Sequence, residues 1–207
     1  MNHEIEYTNQ YLNYSREELL AIIRTKMSEK RFKHILRVEQ TALKLAEKYG
    51  GEPEKVSIAA LLHDYAKEYP DYIMSDRIIS ENMDLDMLDY GNAIWHGPVG
   101  AVLVHEELGI DDEEILTAIA QHTTGAPEMS VLSQIVFVAD YIEPGRDFEE
   151  VKEARMIADK SLKQAVFFEI KQTINYLISK EAVIYPKTLD TYNAWVKYMK
   201  KEGEIAE

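Results

Sequence analysis

The chain has 207 residues, 46% of them hydrophobic, which is enough material for one domain with a sizeable apolar core. It contains no cysteine, which excludes a disulfide framework and a thiolate metal site, so any bound metal must be held by nitrogen and oxygen. With 37 acidic against 23 basic residues the formal charge is −14, which disfavours nucleic-acid backbones and anionic membranes; an anionic small substrate requires metal ions and local cations to reverse the field inside a cleft.

No basic stretch followed by an apolar run opens the chain, and no apolar run is long enough to cross a bilayer, so a soluble, cytoplasmic protein is expected. Residues 1–14 are polar and tyrosine-rich without a clear period and read as an extended or loosely attached arm; residues 15–207 read as one domain. Ser15-Arg16-Glu17-Glu18 is a capping box, after which Leu19, Leu20, Ile23 and Met27 recur at helical spacing. Ser28 starts a second helix whose apolar stripe is Phe32, Ile35, Leu36, Ala42, Leu43 and Ala46, ended by Gly50-Gly51. His34 stands beside that stripe, where a lone histidine is more often a hydrogen-bonded core residue than a ligand.

Pro53 suits a first helical turn, and the helix it opens, running through Val56 to Asp64, is apolar nearly all round and therefore central. Taking His63 and Asp64 out of water at its end is costly, and coordination to a cation would offset that cost. Pro70 stops this helix. Asp71 to Tyr90 reads as a short helix followed by an acidic stretch, Asp84 to Asp89, which lacks the glycine and closing glutamate of a calcium loop and reads as solvated surface.

Trp95-His96-Gly97-Pro98 places His96 just before a helix from Val99 to Gly109, beside amide hydrogens that favour anions; His105 within it reads as an exposed bystander. A capping-type start at Asp111 to Glu114 leads to His122, which runs into Thr123-Thr124-Gly125, a turn suited to phosphate or ribose or simply to capping. Ser130 begins a strongly apolar helix in which Asp140 is the lone charge, and an aspartate so placed is rarely buried without an arginine or a metal. Beyond Phe148 come an amphipathic helix, a long one from Lys160 to Lys180, a break at Tyr185-Pro186-Lys187-Thr188, and a final helix whose aromatic residues would close the core or join a homodimer. Strand-type alternation is nowhere sustained, so the fold is all-α, with about eight or nine helices in a single domain.

Each of these polar positions has an ordinary explanation alone. Together, His34, His63, Asp64, His96, His122 and Asp140 fall at the ends or buried faces of apolar helices, and they read as one metal centre. Consecutive helical residues point about 100° apart, so His63 and Asp64 share an ion only if it lies between their directions, and Asp64 is placed to bridge two. Lys67, one helical turn past His63, projects the same way and would reach a phosphate oxygen. Imidazole and carboxylate without thiolate suit Fe, Mn, Co or Ni.

The pattern H…HD…D, met by His34, His63-Asp64 and Asp140, resembles the HD superfamily of metal-dependent phosphohydrolases. Arg31-Phe32-Lys33-His34, His63-Asp64-Tyr65-Ala66-Lys67, Leu88-Asp89-Tyr90-Gly91, Trp95 to Gly100, His122 to Gly125, Ala139 to Arg146 and Tyr185 to Thr188 resemble the YqeK family, bacterial symmetrical diadenosine tetraphosphate (Ap4A) hydrolases. The resemblance covers nearly the whole chain after the arm. It implies an HD-domain helical bundle, an iron centre with room for a second ion, and hydrolysis of Ap4A to two ADP.

By the same resemblance His34, His63, Asp64 and Asp140 hold the main ion, while His96 and His122, with Asp64 bridging, face the second ion or the phosphates. Arg31, Lys67, Thr123 and Arg146 bind phosphate, and Val183, Ile184, Tyr185, Pro186, Lys187 and Thr188 line the nucleoside. Asp64 and Lys67 are the expected catalytic pair. A phosphoanhydride needs an attacking hydroxide and stabilised phosphoryl charge, which metal coordination supplies. A second reading is an HD nucleotidase or guanosine-alarmone phosphohydrolase, separated by substrate profile. A third is an inactive helical nucleotide-binding module, against which the full ligand set and Lys67 argue.

Overall fold

The computed structural model describes residues 5–205; residues 1–4 of the arm and residues 206–207 lie outside the described residues. The elements are α1 (Arg16–Arg24), α2 (Glu29–Tyr49), α3 (Pro53–Leu62), α4 (Asp71–Ser80), a 3-10 helix (Leu85–Asp89), α5 (Asn92–Leu108), α6 (Glu113–Gln121), α7 (Val131–Ile142), α8 (Val151–Ala158), α9 (Leu162–Ser179) and α10 (Pro186–Lys201). The fold is all-α. Its ten α-helices among the described residues exceed the eight or nine expected because several are only eight to ten residues long.

α3 has no polar face, and it sits where such a helix must: Val56, Ile58, Ala59, Ala60, Leu61 and Leu62 are all 0% exposed, packed among α2, α6 and α7. Each fully buried Leu or Ile contributes roughly 1.5–3 kcal/mol, so α3 anchors the bundle. On α2 the buried stripe is Phe32, Ile35, Val38, Ala42, Leu45 and Ala46; Leu36 and Leu43, read from the sequence as part of it, are half-buried, because the seam follows the 35, 38, 42, 45 rows. The capping box at Ser15 and Glu18 forms as expected.

Two boundaries differ from the sequence reading, and both bear on the site. α3 ends at Leu62, and residues 63–69 continue as tight turns joined by Tyr65 N to Leu62 O and Lys67 N to Asp64 O, so His63 is a C-cap and Lys67 is not one helical turn above it. α5 starts at Asn92, so His96 lies inside the helix and not at its entrance. Gly91, at φ +73°, makes the turn that Pro98 was expected to mark, and its carbonyl accepts from Ile94 and Trp95.

Residues 5–14 carry no helix yet are fastened to the domain. Leu12 is 2% exposed, the Tyr7 hydroxyl lies 2.8 Å from Ser57 Oγ, and Thr8 N and Oγ1 donate to Glu54 at 2.9 and 2.7 Å. Below them Glu39, 2% exposed, receives Arg16 Nε and Nη2 at 2.8 and 2.5 Å and the Ser57 hydroxyl at 2.5 Å.

The acidic stretch is not wholly solvated either. Asp84 accepts from the Tyr185 hydroxyl at 2.8 Å and pairs with Lys187 Nζ at 3.1 Å, while Tyr185 packs on Tyr90 with ring centres 5.0 Å apart. Trp195 (5% exposed) donates to Ala126 O at 2.9 Å and Met199 is 1% exposed, so α10 closes the core. Among the described residues no helix is long and apolar enough to cross a membrane.

Candidate metal centre

Five helices deliver one polar cluster into this apolar bundle. His34 comes from the interior of α2, His63 from the C-cap of α3 and Asp64 from the turn after it, His96 from α5, His122 from the C-cap of α6, and Asp140 from the last turn of α7. His34, His63, Asp64, His96 and His122 are 6% exposed or less. Three overlapping groups, His34–His63–Asp64, His63–His122–Asp140 and Asp64–His96–His122, each bring their ligand atoms within 4.8 Å of one another.

Asp64 divides the cluster into two halves. Its Oδ2 faces His34 Nε2 at 3.5 Å and His63 Nε2 at 3.3 Å, with Asp140 Oδ1 3.0 and 3.9 Å from the same two nitrogens. Its Oδ1 faces His96 Nε2 at 3.4 Å and His122 Nε2 at 3.7 Å, and those two nitrogens are 3.0 Å apart. Two donors on one ion, each about 2.1 Å from it, stand about 3.0–3.4 Å apart, so both halves have the dimensions of an ion site.

The hydrogen bonds on the far side of each ring select the tautomer. Nδ1 of His63, His122 and His96 lies 2.7, 2.7 and 2.6 Å from the carbonyls of Ala60, Ile119 and Asn92, and Nδ1 of His34 lies 3.0 Å from Glu143 Oε1. An acceptor at every Nδ1 places the proton there and leaves all four Nε2 lone pairs aimed into the cluster. His34 Nε2 and His63 Nε2 are buried with no hydrogen-bond partner. Buried polar atoms left so are uncommon, and a metal ion is the partner that fits them.

The charges point the same way. Burial opposes the Asp64 and Asp140 carboxylates, but the surrounding imidazoles, with Arg146 at Asp140, hold both well below the usual carboxylate range. Burial likewise opposes a charge on His34, yet the Asp140 and Asp64 carboxylates facing its Nε2 push it up to about 9. The cage therefore draws positive charge, and a divalent ion supplies more of it than one proton. Burial pushes His96 down to about 4, which keeps its ring neutral and its lone pair free.

Cations border the cage. Arg31 Nη1 lies 2.6 Å from Asp64 Oδ2, Arg146 Nη2 lies 2.5 Å from Asp140 Oδ1, and Lys67 Nζ lies 3.4 Å from His96 Nδ1. Burial lowers the Lys67 pKa from its ordinary value. Lys67 thus stands at the site through the turn after α3, not through a helical repeat. Thr123 Oγ1 is buried without a hydrogen-bond partner. The Val183–Thr188 segment is joined to the Asp84–Tyr90 region through Tyr185; Tyr185 and Thr188 are buried while Val183 and Lys187 are exposed.

Three contributors escaped the sequence reading. Glu143, 1% exposed, binds His34, Arg37 Nε (2.5 Å) and Gly145 N (2.5 Å), and although burial opposes its charge these bonds bring its pKa down to about 2. Arg155 donates to the carbonyls of Ile142, Glu143 and Arg146 at 2.8–3.0 Å, fixing the turn that carries Glu143 and Arg146. Gly97 lies so close to α6 that a Cβ there would sit 2.9 Å from Ala120 O, and this close approach sets His96 against His122. The signals were an acid in Glu143-Pro144-Gly145 just past Asp140, and a glycine next to His96.

The HD domain family matches residues 31–145. The chain is 44% identical over 179 residues to a Bacillus subtilis protein named bis(5'-nucleosyl)-tetraphosphatase, symmetrical, covering 86% of this chain and 96% of that one. A Staphylococcus aureus protein of the same name is 42% identical over 180 residues, covering 86% of this chain and 92% of that one. A crystal structure from Clostridium acetobutylicum, described as a predicted HD superfamily hydrolase involved in NAD metabolism, superposes with a TM-score of 0.85 at 36% identity, covering 89% of this chain and 98% of that one.

Proposed function

The chain belongs to the HD domain family, and from that premise we infer that it is a metal-dependent hydrolase that cleaves diadenosine tetraphosphate symmetrically to two ADP. The observation that carries the reading is the convergence of four imidazole Nε2 atoms on the two oxygens of one buried aspartate. His34, His63, Asp140 and Asp64 Oδ2 would hold one ion; His96, His122 and Asp64 Oδ1 would hold a second. Bound there, a divalent ion acidifies water and takes up charge on phosphoryl oxygens. Iron is the ion we assign, with Mn, Co or Ni as substitutes suited to the same donors.

The protein's own groups position the substrate. Arg31 and Arg146, already at the rim beside the two carboxylates, turn guanidinium hydrogens towards the phosphates. Lys67 supplies a third cation next to His96, where it stabilises charge as the central P–O–P bridge opens and the bridging oxygen leaves with one ADP. The unpartnered Thr123 hydroxyl donates to a phosphate oxygen. Val183 and its neighbours through Thr188 line the nucleoside. All six cage ligands come from one chain, the partner is a dinucleoside polyphosphate and not nucleic acid, and the protein works in the cytoplasm.

The test is product identification from Ap4A combined with elemental analysis. ADP alone, with stoichiometric transition metal, supports the assignment. AMP plus ATP, or a guanosine alarmone turned over much faster than Ap4A, overturns it. Asp64→Ala should lose both metal and turnover while helical circular dichroism persists; an active variant would refute the bridging carboxylate.

A further inference from the structure

The four cage histidines do not fix their tautomers by the same means. His63, His96 and His122 each give Nδ1–H to a backbone carbonyl three or four residues earlier, and two of these carbonyls lie in a last helical turn, where amide partners run out. His34 sits inside α2, and its ring nitrogen reaches across to a side chain and not back to a carbonyl of its own helix. That side chain is Glu143, at the C-cap of α7, buried to 1% exposure, with Arg37 donating to both of its oxygens and the Gly145 amide to Oε2.

We propose that Glu143 is a positioning residue: by accepting the His34 Nδ1 proton it aims the Nε2 lone pair at the ion shared with His63, Asp140 and Asp64. The inference rests on the metal-centre reading above. Its specificity follows from chemistry. A carboxylate accepts more strongly than a carbonyl and raises the basicity of the ring it orients, and loss of such a partner weakens metal binding about 10- to 100-fold. No substitution can remove the backbone carbonyls behind the other three histidines, so His34 alone is open to this perturbation. A glutamine at 143 has one oxygen for three donors, the His34 ring, Arg37 and the Gly145 amide, and cannot serve them all.

Co2+ titration of the full chain tests this, followed by calorimetry and by the ligand-field absorption that reports imidazole coordination. Glu143→Gln should weaken the half built on His34 about 10- to 100-fold and leave the His96–His122 half unchanged. Arg37→Gln, which removes the guanidinium bonds to both carboxylate oxygens but leaves Oε1 on the His34 ring and Oε2 on the Gly145 amide, should change Co2+ affinity less than about threefold while lowering thermal stability. Wild-type affinity in Glu143→Gln overturns the inference. So does an equal loss in Arg37→Gln, since the turn and not the His34 contact would then carry the effect. A wild-type protein that takes up no Co2+ removes the metal-centre reading itself, and this inference with it.

Discussion

Gly97→Ala puts the spacing of α5 and α6 to the test. A Cβ at Gly97 would stand 2.9 Å from Ala120 O and 3.1 and 3.2 Å from Thr123 Cγ2 and Oγ1; the first of these is backbone and cannot swing aside. The helices must part by a few tenths of an ångström, at an overpacking cost of about 1–3 kcal/mol. Alanine returns about 0.5–1 kcal/mol of helix propensity, so the net loss is up to about 2.5 kcal/mol. Gly100, one turn later on α5, is the control: a Cβ there meets nothing closer than Ala66 Cβ at 3.6 Å, so Gly100→Ala keeps the propensity gain and stabilises. The two variants should therefore differ in thermal midpoint by several degrees, at about 2–4 °C per kcal/mol for a domain of this size. Because the parted helices carry His96 and His122, now 3.0 Å apart, Gly97→Ala should also weaken metal binding at that half and spare the other, read by Co2+ titration. Equal midpoints for the two alanine variants, or unaltered metal binding in Gly97→Ala, would refute the claim that Gly97 sets the cage.

Restoring a divalent ion to metal-stripped protein at 100 times its Kd should add about 2.7 kcal/mol of stability, or about 5–11 °C in Tm, and a scan without that shift would show that the folded cage takes up no ion. Lys67→Ala should keep its metal and lose about 10²- to 10³-fold in kcat; loss of metal instead would place Lys67 in the scaffold. Arg16→Met removes both guanidinium bonds to buried Glu39 and should cost about 3 kcal/mol in urea unfolding with metal affinity unchanged, and a neutral result would mean that this carboxylate tolerates the loss.

The residues of the cage were legible because they break a pattern. His63 and Asp64 end an apolar helix, Asp140 interrupts another, and a polar group at such a place needs a partner whatever the tertiary arrangement. Less legible were features decided by contacts distant in sequence. Glu143 lies 109 residues from the ring it orients, and its place in Glu143-Pro144-Gly145 just past Asp140 does not by itself show that the side chain turns inward. Asp84 looked like one of several solvated aspartates because its partners, Tyr185 and Lys187, lie about a hundred residues on. His96 was misplaced for a different reason: Pro98 resembles a first-turn proline, whereas Gly91 had already started the helix and the proline sits within it.

The choice of helix ends as ligand platforms has an electrostatic consequence. α3, α6 and α7 all finish at the cage, at His63, His122 and just beyond Asp140. Each C-terminus carries roughly half a negative charge and unpaired carbonyls. The imidazoles at two of these ends use the carbonyls to lodge their Nδ1 protons, so one ring both caps a helix and offers a lone pair. Together with Asp64 and Asp140, three converging negative ends make a field that attracts a cation and repels a polyphosphate, in keeping with a chain charged −14 overall. On the proposed function, binding the substrate requires that field to be reversed locally, and Arg31, Lys67 and Arg146 at the rim, together with metal held in the cage, would be the groups to reverse it.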